Sequence, residues 1–118
     1  MVIVHVSAEC YPMAKAGGLG DVVGALPKYQ KKQGDEAMVV MPMYKTAFLE
    51  KNEWDVAFKG KANMGDWFFD FTIIKERSEK LGFNLFLVDI HGLLDRPKIY
   101  GYPDDHDRFI GFQIAVVN

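Results

Sequence analysis

The sequence predicts an α/β domain, with a mostly parallel sheet into which a β-hairpin is inserted. Three observations carry this. Val2-Ile3-Val4-His5-Val6 is an apolar run followed by a glycine-rich turn, a helical pattern and a second apolar run at residues 37–41, which together make a β-α-β unit. Residues 54–62 and 67–75 flank Asn63-Met64-Gly65-Asp66, a turn of the kind that joins hairpin strands. Residues 84–90 form another unbroken apolar strand.

Each element has its own reason. An apolar run such as residues 2–6 suits a parallel strand buried on both faces. Leu19, Val22, Val23 and Leu26 recur at the spacing of one helix face, so this stripe is expected to meet the core. Gly34 stands where a helix C-terminus needs a left-handed residue. Pro27 removes one helical hydrogen bond, which predicts a kink or two short helices. In the hairpin, Trp67, Phe69, Phe71 and Ile73 alternate with Phe68, Asp70, Thr72 and Ile74, a period of two. Leu81-Gly82 turns the chain again. Residues 91–107 read as a long loop rich in Pro, Gly and Asp, and loops of that length in small domains usually carry function. From Asp107 the pattern is helical, with Phe109, Phe112, Gln113 and Val116 on one face. It stops at Asn118 with no helix-ending signal, so a truncated helix and a longer parent protein are expected.

Composition narrows the function. The 118 residues suffice for one domain or part of one, and 49% hydrophobic residues can fill a core. A net charge of −2 and a pI near 5.9 give no footprint for nucleic acid. Nothing approaches ~20 consecutive apolar residues, so no membrane span is expected. The single Cys10 excludes an internal disulfide, and no signal peptide is visible. Both features make the cytoplasm the expected location.

Lys15-Ala16-Gly17-Gly18-Leu19-Gly20-Asp21-Val22 is the most informative stretch. A strand, a glycine-rich turn and a helix start bring amide N–H groups and the positive end of the helix dipole together, with Lys15 adding a charge. The other reading of these residues is a tight turn that needs glycine for positive φ, with Lys15 merely solvated. A dinucleotide fingerprint would need glycine at Val23, and a P-loop would need Ser or Thr where Ala62 follows Gly60-Lys61. Nicotinamide chemistry and nucleotide hydrolysis therefore lose ground.

The same residues resemble the N-terminal signature of bacterial glycogen synthases and plant starch synthases. The likeness runs through Val4-His5-Val6-Ser7-Ala8-Glu9-Cys10-Tyr11-Pro12, Gly24-Ala25-Leu26-Pro27-Lys28 and Val39-Val40-Met41-Pro42-Met43-Tyr44. It returns at Phe86-Leu87-Val88-Asp89, Leu94-Asp95-Arg96-Pro97, Ile99-Tyr100-Gly101 and Asp107-Arg108-Phe109, and is thin between residues 45 and 80. Family loops usually read Lys-Thr-Gly-Gly-Leu, so Ala16 is a departure that keeps the backbone donors. The resemblance implies a Rossmann-like, acceptor-side N-terminal domain of a GT-B glucosyltransferase, present in part, with the nucleotide-binding domain beyond this chain. It implies transfer of glucose from ADP-glucose, in preference to UDP-glucose, to the non-reducing end of an α-1,4-glucan with retention. No metal or other cofactor is implied, and this piece alone would not turn over.

On that resemblance Lys15 and the Gly17 and Gly18 amides would hold the donor diphosphate, with Asp21 either touching ligand or only complementing the helix dipole. Glu9 would hydrogen-bond an acceptor hydroxyl or anchor the loop. Tyr100 could stack on a glucose ring, and His91 lies in the same region at a strand end. Cys10 reads as a packed apolar residue, and His5 as a satisfied core histidine. Asp105-His106-Asp107 has an Asp-x-Asp spacing that could attract a divalent cation, but the preferred reading is a helix cap, with Asp105→Asn nearly silent. The competing function is a stand-alone, non-catalytic module that binds a phosphorylated ligand or partner. Whether the gene continues past Asn118 separates the two.

Overall fold

The computed structural model describes residues 2–77, 81–90 and 93–117. Strand β1 (Val2–Val6) leads through a loop to helix α1 (Gly18–Lys32), then to β2 (Glu36–Pro42). A short helix α2 (Ala47–Lys51) precedes the hairpin of β3 (Trp54–Met64) and β4 (Trp67–Glu76). Strand β5 (Asn84–Asp89) and helix α3 (Asp105–Val117) follow. The sheet order is β1-β2-β5-β4-β3. β1, β2 and β5 are parallel neighbours, and β4 pairs antiparallel with both β5 and β3. Four of the five strands thus run in one direction, as a mostly parallel sheet with an inserted hairpin requires.

The core lies on both faces of this sheet. Val39, Met41, Leu85 and Leu87 pack on one face with Val23 of α1 and with Cys10, Met13 and Tyr44. Val88, Phe69 and Phe71 pack on the other with Phe112 and Ala115 of α3. Successive residues of a strand point to opposite faces, which is why β2 and β5 feed both clusters. Among the described residues no helix is long and apolar enough to cross a membrane.

Several expectations change in the structure. β1 is an edge strand, paired only with β2 among the described residues, and Val2, Val4 and Val6 are exposed rather than buried on both faces. Helix α1 is one helix that runs through Pro27. Of its apolar stripe, Leu19, Val22 and Leu26 are exposed; Val23 joins Gly20, Gly24 and Pro27 on the buried face. The cause is close backbone contact. A Cβ on Gly24 would lie 2.5 Å from the carbonyl oxygen of Tyr11, so α1 can approach that loop only on its glycine side. At the helix end Gly34 has φ +95, as the sequence predicts. Helix α2 was not foreseen; Thr46 caps it by accepting the Leu49 N–H at 3.4 Å.

Candidate functional site at the carboxyl edge of the sheet

The carboxyl ends of parallel strands are where open α/β sheets bind ligands. Here that edge is drawn together by backbone bonds from Ser7 N–H to the Val40 carbonyl (3.0 Å), Met43 N–H to Val88 (2.8 Å) and Lys45 N–H to Arg96 (3.1 Å). Tyr44 is fully buried and donates its hydroxyl to the Ala8 carbonyl at 2.6 Å. Burial pushes its pKa well above the usual phenol value. The loop after β1 is therefore seated on the loop after β2 before any ligand is considered.

Glu9 sits at the centre of this edge, 3% exposed. Its Oε1 accepts N–H bonds from Ala16 (3.3 Å), Gly17 (3.1 Å) and Gly20 (2.9 Å), and its Oε2 accepts the Tyr100 hydroxyl at 2.8 Å. Gly17 is the N-cap of α1 and offers no side chain to the first helical turn. The carboxylate of Glu9 takes that part from a distance, filling the concavity of amides with an internal anion. Burial pushes the Glu9 carboxyl up, but the bonds from Tyr100 and from the amides of Gly17, Gly20 and Ala16 outweigh it, so it titrates below its ordinary 4.5.

That direction fixes a pH dependence. A carboxyl depressed in the folded state stabilises the fold above its unfolded value, and the stabilisation is lost as pH falls through the folded value. The gap in melting temperature between the parent protein and Glu9→Gln is therefore expected to shrink as pH drops below about 4.5. A gap that stays constant through this range would show that the ionised carboxylate is not what the amides hold.

The donors at the helix start are thus divided. The Gly17 amide points inward at Glu9 rather than out toward a ligand. The Gly18 amide, in the first helical turn, has no partner among the described residues, and a Cβ on Gly18 would meet nothing within 4 Å. Neither Gly17 nor Gly18 has positive φ; Gly17 is extended at φ −160 and Gly18 already belongs to the helix. The conformational reason for glycine at these positions falls away, and what remains is the open approach to the Gly18 amide. Lys15 forms an ion pair with Asp21 at 2.9 Å, both side chains about half exposed. Exposed pairs of this kind are worth about 0–1 kcal/mol, so the ammonium can leave Asp21 for a stronger anion.

Lys15 and Tyr100 line one hollow of about 380 Å³, together with Ala14, Ala16, Thr46 and residues 97–99. Tyr100 is 41% exposed, with the Phe109 ring 5.8 Å from its own. Burial and its bond to Glu9 raise the Tyr100 hydroxyl to about 12, so it remains a donor at neutral pH. A larger hollow of about 460 Å³ lies on the hairpin between Lys61 and Asp70 and contains none of the expected site residues. We place the site at the smaller one, where the glycine loop, a cation and an aromatic face converge. His91 lies outside the described residues. Cys10 is fully buried, with its thiol pushed up to about 12 by desolvation, as a packed residue should be. His5 is half-buried and bonded to Gln30 at 2.8 Å.

Residues 93–104 are organised by Arg108, which is fully buried. It donates to the carbonyls of Leu93 (2.9 Å), Ile99 (3.0 Å) and Lys98 (3.3 Å), and to Asp105 at 2.8 Å. Asp105 also accepts the N–H groups of Gly101 (2.7 Å) and Tyr102 (3.1 Å). It therefore closes the loop that presents Tyr100, and the expectation that Asp105→Asn is nearly silent does not survive. An Asn offers one acceptor oxygen where three donors converge from two sides. Asp104 is bonded to Arg96 through two oxygens, at 2.6 and 2.8 Å. The carboxylates of this stretch thus engage separate partners, and the described residues hold no cluster suited to a metal ion. Sequence reasoning missed Tyr44 and Arg108 as organisers. The signal for Arg108 was a long irregular stretch whose carbonyls needed a donor with several N–H groups.

Known proteins share this architecture. Glycogen synthase of Flavobacterium johnsoniae is 52% identical over 118 residues, which is 100% of this chain and 25% of that protein. Glycogen synthase of Thermus thermophilus is 38% identical over 120 residues, covering 98% of this chain and 24% of its own length. The structure of the catalytic domain of starch synthase IV from Arabidopsis thaliana, bound to ADP and acarbose, matches with a TM-score of 0.85 at 26% identity over 98% of this chain and 24% of that one. The chain thus spans about a quarter of the length of these relatives. Residues 2–118 match the starch synthase catalytic domain, and the chain belongs to that family.

Proposed function

We propose that this chain forms one wall of the active-site cleft of a retaining glucosyltransferase that moves glucose from ADP-glucose to the non-reducing end of an α-1,4-glucan. The observation that carries this is the hollow that Lys15 and Tyr100 share, on the loop that leads into the unpartnered Gly18 amide at the start of α1. Lys15 and that amide meet the leaving diphosphate, whose charge grows as the glycosidic bond breaks, so donors fixed beforehand lower the barrier. Gly17 supports them through its bond to Glu9, and Asp21 parks the ammonium until the donor arrives. Tyr100 offers its exposed ring to the C–H face of an acceptor sugar. The ADP and acarbose bound to the Arabidopsis structure support the two ligand classes. The nucleotide pocket and the opposite wall belong to the remainder of the parent protein, and without them this segment is inactive.

The full-length enzyme, purified and treated with EDTA, should transfer glucose from ADP-glucose to maltooligosaccharide, faster than from UDP-glucose and with retained anomeric configuration. Failure to transfer would remove the proposal. Recovery of activity only on adding Mn or Mg would show that a metal carries charge here assigned to Lys15 and backbone amides.

A further inference from the structure

The carboxylate of Glu9 is shared between two segments: Oε1 holds the glycine loop, and Oε2 holds Tyr100, which lies 91 residues beyond Glu9 in sequence. One rigid planar group therefore sets the position of both rims of the hollow. Because it is 3% exposed, water does not readily replace either set of bonds if one rim moves. Gly20 adds to this constraint, since a Cβ there would lie 3.1 Å from Oε1 and from the Lys15 Cγ. The glycine face of α1 thus lets the loop, Lys15 and Glu9 pack in direct contact.

We propose, on the reading of the site given above, that Glu9 is a positioning residue that couples the two substrates. A glucan stacked on Tyr100 holds the phenol against Oε2, and Oε1 in turn holds the amides of Ala16, Gly17 and Gly20 in the arrangement that presents Gly18 and Lys15 to a diphosphate. Each ligand then stabilises the arrangement the other requires. Such coupling is reciprocal: the glucan tightens the nucleotide by the same factor as the nucleotide tightens the glucan.

The test uses the full-length enzyme with ADP, which carries no glucose to touch the acceptor. ADP affinity is measured by calorimetry with and without saturating maltotetraose. In the parent enzyme the sugar should tighten ADP about fivefold or more. Tyr100→Phe keeps the stacking ring and deletes only the bond to Glu9, and it should reduce that factor to within about twofold of unity. Glu9→Gln keeps one oxygen for the amides and one N–H₂ for the Tyr100 oxygen, so it should retain more coupling than Tyr100→Phe. A merely structural role would lower affinity or melting temperature in both variants and leave the ratio untouched. An unchanged ratio in Tyr100→Phe, or no coupling in the parent, overturns the proposal while leaving the donor site standing. ADP that fails to bind the parent at all overturns the donor-site reading and this proposal with it.

Discussion

Lys15→Ala in the full-length enzyme should lower kcat for ADP-glucose by about 10²–10³-fold, a loss of about 2.7–4 kcal/mol of transition-state stabilisation. The ammonium stands at the mouth of the turn, paired with the exposed Asp21 among the described residues, so its removal costs the resting fold little. The loss falls on the step in which the diphosphate gathers charge, so kcat drops as well as donor affinity. Asp21→Asn is the informative companion. If Asp21 only parks the ammonium, that variant keeps kcat within a few-fold of the parent. Gly18→Val marks the backbone side of the same cradle. The site has room for a Cβ, so the fold should persist while the branched side chain obstructs the ligand's path. Activity of Lys15→Ala within twofold of the parent would remove Lys15 from the donor site.

Arg108→Ala should be the most destabilising single change in this segment, at about 3–5 kcal/mol. The substitution leaves three carbonyls without their donor, those of Leu93, Lys98 and Ile99, and strands Asp105 beside a cavity. It also removes a guanidinium held 4.6 Å from the centre of the Tyr102 ring. Arg108→Lys should recover little, because an ammonium cannot reproduce a fork that reaches three carbonyls and a carboxylate at once. The expected readout is a lower melting temperature together with new protease cleavage between residues 93 and 104. Resistance equal to the parent would mean that the loop is held by its own side chains. Because Tyr100 rides on this loop, the same variant should lose affinity for glucan.

The strands were legible because their evidence is local. Period two in the second hairpin strand and unbroken apolar runs at residues 84–90 place those strands without tertiary information. The glycine loop read as a site for a ligand's anion, whereas in the structure three of its amides hold the carboxylate of Glu9. That substitution was hidden because Glu9 meets the Gly20 amide across 11 residues and Tyr100 across 91. A helix beginning at Gly17-Gly18 with no Ser, Thr, Asp or Asn to cap it was the available hint. The orientation of α1 was misread because a helical stripe says which residues share a face, not whether that face meets the core. Contact distance between backbones, set at Gly24, decided it. Arg108 escaped because arginine is seldom fully buried, and only the irregular carbonyls around it make burial favourable.

The position of β1 has a practical consequence. Expressed by itself, this segment would display a valine-lined strand whose outer backbone donors and acceptors have no protein partner among the described residues. Such a margin is a template on which a second molecule can lay its own strand. The isolated polypeptide should therefore be a concentration-limited species, forming ladders of copies and clouding on standing. Lysine or proline placed at the exposed Val4, which does not line the hollow, would keep it dispersed for spectroscopy.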